Sequence, residues 1–268
     1  GIRKNYGSNL ILSDHSDLTV IEADEYDRSF HQLSPYMAVI TAADPDHLDI
    51  YGNEDAYLES FRYFTTLIRS GGVLIIKKGI KIQPDVQNGV TVYHYSMNDG
   101  GDFYAQNIRI GNGQIIFDFV TPKETIKDIE LGVPVKINIE NSIAAMAIAW
   151  LNGVSATDIK NAVASFQGAK RRFDFWIKRD DLVMIDDYAH HPDEIKASIS
   201  SVKELYPEKK ISVIFQPHLY TRTRDFAPQF AKALSLADEL ILLDIYPARE
   251  EPIPGVTSEI IFDRVTCR

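Results

Sequence analysis

Short apolar runs of four or five residues recur along this chain of 268 residues. They are Met37-Ala38-Val39-Ile40-Thr41, Val73-Leu74-Ile75-Ile76, Leu182-Val183-Met184-Ile185, Ile211-Ser212-Val213-Ile214-Phe215 and Leu240-Ile241-Leu242-Leu243. Such runs are too short for a buried helix and, rich in β-branched residues, fit strands covered on both faces. Between them lie segments with helical spacing. Asn53 to Ser70 places Tyr57, Phe61, Phe64 and Ile68 on one face, with Gly71-Gly72 as the stop. Pro192 to Tyr206 and Asp225 to Ala237 are two more. Strand, helix, strand in alternation predicts an α/β fold. Leu18-Thr19-Val20-Ile21 is predicted as a further strand that delivers Glu22 and Asp24 to its carboxyl end.

The texture changes in the middle. From Val90 to Leu131 the segments are short, rich in Tyr, Phe, Ile and Val, and separated by Gly100-Gly101 and Gly111-Asn112-Gly113. Antiparallel strands forming a small side sheet are expected there. Asn138 to Leu151 is Ala-rich and helical, closed by Asn152-Gly153. Ser155 to Phe166 is a second helix, with Ser155 as N-cap and Asp158 three positions on. Gln167-Gly168-Ala169-Lys170 divides the chain into two expected domains, 1–168 and 169–268, as its length suggests. The expected class is α/β: a mainly parallel-sheet central domain with a small antiparallel side sheet, then a Rossmann-like α/β domain. Gly1 opens in a turn-like run, and Ser258 to Val265 reads as a helix barely begun. A segment of a longer protein is expected, a processed but otherwise whole chain being the alternative.

Composition removes several classes. Lys and Arg number 28 against 38 Asp and Glu, a net charge of -10, which argues against a general nucleic-acid binder. The longest apolar stretch, Ile143 to Leu151, is too short to span a bilayer. No signal-peptide pattern opens the chain. The single cysteine, Cys267, rules out an internal disulfide framework, and a cytoplasmic location is expected.

In open α/β sheets ligands gather at the carboxyl ends of strands, and several segments there could carry chemistry. Glu22-Ala23-Asp24-Glu25 and Asp44-Pro45-Asp46-His47 both follow apolar runs. Their oxygens and one imidazole suit Mg²⁺ or Mn²⁺, though acidic loops and a helix-capping Asp give the same pattern. Lys170-Arg171-Arg172 at the domain junction is either a phosphate clamp or a solvated basic linker. Asp186-Asp187-Tyr188-Ala189-His190-His191-Pro192 puts His190 just before a helix start, as a functional group or as part of a capping segment. Gln216 to Arg224 follows another run, with Arg222 and Arg224 near a helix start, as an anion site or a salt-bridged surface pair. No Gly-x-x-x-x-Gly-Lys-Ser/Thr loop occurs in the chain.

Taken together these motifs resemble one family, the Mur ligases of peptidoglycan synthesis. The resemblance rests on Glu22-Ala23-Asp24-Glu25, Asp46 to Tyr51, Asn138-Ile139-Glu140-Asn141 with Ala144-Ala145, and Phe166-Gln167-Gly168 before Arg171-Arg172-Phe173-Asp174. Asp186 to Pro192, Phe215 to Arg224 and Tyr246 to Gly255 complete an ordered series that covers nearly the whole chain. It implies an ATP-dependent carboxylate–amine ligase, with 1–168 as the central ATP-binding domain and 169–268 as the C-terminal domain. In the implied reaction ATP phosphorylates the lactyl carboxylate of UDP-N-acetylmuramate, and the amine of L-alanine attacks the acyl phosphate. The resemblance implies Mg²⁺ on Glu22 and His47, with His190 as a third catalytic residue. It implies nucleotide contacts from Asn138, Asn141, Arg172 and Asp187, Asn141 on adenine and Asp187 on ribose. His190, Arg222 and Arg224 would meet the sugar nucleotide and the amino acid.

Departures from the family pattern are visible. The family's P-loop falls upstream of Gly1, so the fragment alone is expected to be inactive. Leu219 stands where relatives often have Arg, and Ile137 where a His often precedes the Asn pair. Sibling enzymes carry a carbamylated Lys after the Asp-His motif, yet no Lys occurs between Glu54 and Arg69, which fits the alanine-adding branch. Two alternatives stand: a recycling ligase that attaches a murein tripeptide to the same sugar nucleotide, and a non-catalytic nucleotide-binding module. Residues around Gly168 are the expected hinge.

Overall fold

The computed structural model describes residues 3–45, 48–98 and 100–267. The first part of the chain is built on one six-stranded sheet, in the order β1 (Met37–Ile40), β2 (Val73–Lys77), β3 (Thr91–Ser96), β4 (Phe103–Gly111), β5 (Gln114–Val120) and β6 (Thr125–Glu130). β1 to β4 run parallel, whereas β4, β5 and β6 pair antiparallel. The expected antiparallel strands are therefore present, but bonded onto the parallel sheet. β3, inside that expected region, belongs to the parallel part. Leu74, Ile75 and Ile76 of β2 are buried, as a strand covered on both faces requires.

One face of β1 and β2 carries α1 (Leu48–Tyr51) and α2 (Glu54–Thr66). Asn53 caps α2 by accepting from the Ala56 N–H at 2.9 Å. The helix buries Tyr57, Phe61 and Phe64 against Leu74, Ile76 and Phe30, the last from a 3-10 helix over Tyr26–Gln32. A second core lies where α3 (Lys136–Leu151) and α4 (Ala156–Ser165) cover β3 to β6. Phe103, Phe117, Phe119, Ile139 and Ile143 are among its fully enclosed members.

Asp118 shapes the β4–β6 edge. Its Oδ2 accepts from Asn107 Nδ2 at 2.8 Å, and its Oδ1 from the Asp128 N–H at 2.9 Å. Asn107 and Asp128 both have positive φ, and the register shifts between Gln106 and Arg109 and between Phe117 and Phe119. One buried carboxylate thus holds both bulges, through the Asn107 side chain on β4 and the Asp128 backbone on β6.

The second part opens with the antiparallel pair β7 (Asp174–Lys178) and β8 (Val183–Asp186). After α5 (Pro192–Leu205) come β9 (Ser212–Phe215), α6 (Tyr220–Leu234) and β10 (Glu239–Leu242). β9 and β10 pair in parallel with α6 as the crossover, the Rossmann-like unit expected here. Phe215, Phe230, Leu234, Ile195 and Ile199 form its core, together with Ile261 of the short α7 (Glu259–Phe262).

Three local expectations need correction. Leu18–Ile21 forms no strand: the segment has no regular structure and Val20 is 91% exposed. β1 is the outermost strand of its sheet, and among the described residues this run does not pair with its open edge or with any other strand. β7 was not expected; its Phe175 and Ile177 turn inward while Trp176 and Lys178 turn out, a half-buried alternation hidden by flanking charges. α6 begins at Tyr220 instead of Asp225, for a reason that lies far away in sequence.

The two parts share one apolar cluster. Phe173, Leu205 and Tyr206 pack with the core of β3 to β6. At the β4–β5 turn the Gly113 N–H donates to the Leu205 carbonyl at 3.0 Å. Gly113 has φ +73, and a Cβ there would sit 2.6 Å from the Tyr206 hydroxyl. Only glycine allows both that backbone and that approach. Lys136 pairs with Glu204 at 2.7 Å, and Lys4 with the buried Asp174. No helix among the described residues is long and apolar enough to cross a membrane.

Candidate active site

The carboxyl end of β1 opens into a cleft of about 350 Å³. Glu25, Thr41 and Asp44 give it oxygen atoms, while Phe30, Tyr57 and Phe61 form its floor. The Tyr51 hydroxyl donates to the Glu25 carbonyl at 2.5 Å, and the Asp24 side chain accepts from the Tyr26 N–H at 3.0 Å. Tyr51 thereby anchors the acidic segment to α1. Glu22 itself is exposed on irregular chain, and His47 lies outside the described residues. Among the described residues no group of three or more His, Cys, Asp and Glu gathers closely enough to hold a metal ion.

A second cavity, of about 400 Å³, lies between α3 and α4. Its wall is largely apolar, with Ala145, Ala149, Val163 and Phe166, and the carboxamides of Asn138 and Asn141 border it. Asn138 Nδ2 donates to the Val133 carbonyl at 3.1 Å, and Asn141 Nδ2 to Asn138 Oδ1 at 3.4 Å. The chain thus fixes the outer carboxamide through the inner one. Apolar walls bordered by an oriented amide suit a flat, partly polar ring. Nearby, at the carboxyl end of β2, Lys77 pairs with Glu140 of α3 at 2.8 Å.

The third group is the most tightly built. It gathers the carboxyl ends of β8 and β9 and the loop after β10. The Tyr188 ring stands 5.3 Å from that of His190 and 6.4 Å from that of His218. His218 stacks at 4.9 Å on Tyr246, and Arg171 lies over the Tyr188 ring at 5.3 Å. His190 Nδ1 meets the Tyr188 carbonyl at 3.0 Å; a carbonyl only accepts, so Nδ1 carries the proton. Glu194 Oε2 accepts from the backbone N–H groups of His190 and His191 at 2.9 and 3.0 Å, capping α5. Burial works against the Glu194 carboxylate, but those two donors and the adjacent imidazoles outweigh it and hold its pKa below the usual range.

His218 is pushed the other way. Burial, then the charges of His190, Arg222 and Arg171, lower its pKa and keep it neutral at pH 7. Arg222, Arg171 and His190 thus all bring positive charge to bear on His218. Such a cluster fits an anion, and a carboxylate best matches the planar guanidinium of Arg222.

Leu219 bends the chain into this cluster. Its φ is +71 with ψ 132, a conformation that costs a non-glycine residue about 1–3 kcal/mol. Three bonds hold it: Leu219 N–H to the Tyr246 carbonyl at 3.0 Å, and Thr223 N–H and Oγ1 to the Leu219 carbonyl at 3.1 and 2.8 Å.

The sequence-derived site residues distribute as follows. His190 and Arg222 meet in the third group. Asn138 and Asn141 meet at the second cavity. Arg172 and Asp187 are exposed at the domain junction and after β8, outside the bonded cluster. Arg224 is exposed and turned to Asp225, with Nε 2.7 Å from Oδ1. Tyr188, His218 and Tyr246 complete the cluster with Arg171, which comes from the basic run Lys170-Arg171-Arg172. An aromatic or His three residues past the end of each of the last three apolar runs is the signal the sequence offers.

Comparison with known proteins defines the class. The Mur ligase middle domain matches residues 7–149, and the Mur ligase glutamate ligase domain matches residues 171–267. The chain belongs to the Mur ligase family. Within it, the chain is 68% identical over 266 residues to a UDP-N-acetylmuramate–L-alanine ligase of Parabacteroides distasonis, covering 99% of this chain and 58% of that protein. A protein of the same name from Phocaeicola vulgatus is 63% identical over 265 residues, with 99% and 58% covered. The crystal structure of UDP-N-acetylmuramate-alanine ligase MurC from Thermotoga maritima superposes with a TM-score of 0.71 at 26% identity, over 90% of this chain and 51% of that one. The chain therefore spans a little more than half the length of the relatives it matches.

Proposed function

We propose that this chain is the ATP- and amino-acid-handling part of a UDP-N-acetylmuramate–L-alanine ligase working in peptidoglycan precursor synthesis in the cytoplasm. The observation that carries this reading is the 68% identity over 266 residues, a span that includes all three groups described above. Residues 1–168 would be the ATP-binding unit and 169–268 the C-terminal unit, with the hinge near Gly168.

The division of labour follows from the chemistry. The Asn138 and Asn141 carboxamides border the cavity that takes the adenine, with Arg172 and Asp187 closing on the nucleotide from the second unit. The oxygens of the acidic cleft are the hard donors Mg²⁺ prefers. Mg²⁺ commonly takes only one or two carboxylates and completes its shell with phosphates and water. Glu22 and His47 would hold it. When bound, it neutralises phosphate charge.

Arg222 and His190 would grip the carboxylate of L-alanine and aim its nitrogen at the activated lactyl carboxyl. The alanine ammonium must lose a proton before it can attack, and a neutral His218 can receive it. Arg224 would assist from the outer rim. The shared job is positioning and charge complementarity, which phosphoryl and acyl transfer need more than covalent help from the protein.

The test is a phosphate-release assay with ATP, Mg²⁺, UDP-N-acetylmuramate and either L-alanine or the murein tripeptide. The protein from the complete open reading frame should turn over with L-alanine, and the 268-residue chain alone should release no phosphate. Turnover with the tripeptide instead of L-alanine would make it the recycling ligase. No turnover with either would favour a nucleotide-binding module.

A further inference from the structure

Tyr246 to Gly255 resembles a family motif, yet the reading above gives it no task beyond the Tyr246 ring. The structure ties this loop to the start of α6 at several points. The Tyr246 N–H donates to the Pro217 carbonyl at 2.8 Å, and the Leu219 N–H returns to the Tyr246 carbonyl at 3.0 Å. Further along, Glu250 reaches back to Thr221. Its Oε2 accepts from the Thr221 N–H at 3.0 Å, and its Oε1 from Thr221 Oγ1 at 2.5 Å. The Tyr220 N–H is a further backbone donor to the same carboxylate.

We infer that Glu250 is a positioning residue for the amino-acid pocket, clasping the first turn of α6 so that Arg222 faces His190 and His218. This rests on the pocket reading given above. Three arguments support it. First, the donors of a helix's opening turn have no partners inside the helix, and here a carboxylate supplied from 29 residues away satisfies them. α6 has no capping side chain of its own, because Leu219 occupies that place. Second, Arg222 follows directly on the clasped residue, so rotation of that turn moves its guanidinium. Third, the Glu250 charge is felt by Arg222, in a cluster otherwise crowded with Arg171 and two imidazoles. A carboxylate there offsets repulsion without entering the pocket. The clasp also explains why α6 starts at Tyr220.

The test uses the ligase from its complete open reading frame with Glu250→Ala, Glu250→Gln, Thr221→Val, the Glu250→Ala/Thr221→Val double variant and Arg222→Ala. Glu250→Ala should raise KM for L-alanine by about tenfold while KM for ATP stays within about twofold. Glu250→Gln, which keeps one acceptor oxygen, should recover part of that loss. Thr221→Val should act in the same direction, and the double variant should be no worse than Glu250→Ala alone. In the 268-residue chain, Glu250→Ala should speed hydrogen exchange at the Thr221 amide.

Equal rises in KM for L-alanine and ATP, or strictly additive losses in the double variant, would reduce Glu250 to a general structural part and overturn the inference. An unchanged KM for L-alanine with Glu250→Ala, beside a large rise with Arg222→Ala, overturns the inference alone. An unchanged KM with Arg222→Ala overturns the pocket reading and the inference with it.

Discussion

The acidic cleft and the basic–aromatic cluster both sit at strand ends, yet they are held in very different ways. Around the cluster, Glu194, Glu250, Thr223 and Tyr246 bond the backbone from several directions. Around the cleft, residues 9–24 run without regular structure, and Leu10, Leu12, Leu18, Val20 and Ile21 are all exposed. The cluster is organised by this chain's own cross-links. The acidic segment is tied down at its end, by Tyr51 on Glu25 and by the Phe30 N–H on the Asp24 carbonyl, and among the described residues no strand pairs with the run before it. One site is held in place by bonds from several elements; the other follows a run that this fold leaves exposed.

The sharpest way to break this contrast is to remove the anion grip proposed for Arg222. Arg222→Ala in the full-length ligase should raise KM for L-alanine about 100-fold, the equivalent of about 3 kcal/mol for a charged hydrogen bond. Steady-state kinetics at saturating ATP measures it; a change of less than about threefold would remove the carboxylate assignment.

Next comes core removal. Phe119→Ala, in the cluster beneath β4 to β6, should cost about 3–5 kcal/mol in urea unfolding. Val20→Ser in the exposed run should change the stability of the 268-residue chain by less than about 0.5 kcal/mol. A large Val20 effect would mean that the segment packs somewhere in this chain after all.

A smaller effect sharpens the account of the cluster. Glu194→Ala leaves the N–H groups of His190 and His191 uncapped and should cost about 1 kcal/mol. Because the Glu194 pKa is held below its ordinary 4.5, its contribution is complete above that value. It is lost as pH falls through the lower folded-state pKa. Stability curves of the parent and Glu194→Ala should therefore converge in acid. His218 works in the same sense at higher pH: its neutral form is favoured in the fold, so its contribution is full above 6.5 and declines below. His218→Gln should flatten the pH dependence of stability just below 6.5, a change of a few tenths of a kcal/mol that thermal melts can follow.

Much of this architecture could be read from the chain. β1, β2, β8, β9 and β10 announce themselves as bare apolar runs, and α2 to α5 by spacing and caps such as Asn53 and Ser155. What stayed hidden depended on remote partners. Whether Leu18–Ile21 is a strand depends on a neighbour, not on its own residues. The start of α6 depends on Glu250, and β7 on pairing with β8. The site shows the same division. His190, Arg222, Asn138 and Asn141 stand out by type and place, whereas Tyr246 and Glu250 join only when the loop after β10 folds back onto β9 and α6.

Phe173, Leu205 and Tyr206 bury themselves in the core beneath β3 to β6, across the division drawn near Gly168. For calorimetry this means the sequence boundary is no boundary of cooperativity. Any swing of the second unit about that hinge must peel an oily seam and wet it. The motion should therefore carry a positive heat-capacity change in the opening direction. Its equilibrium should then tilt toward the seated state on mild warming and toward the peeled state near freezing, where apolar attraction fades.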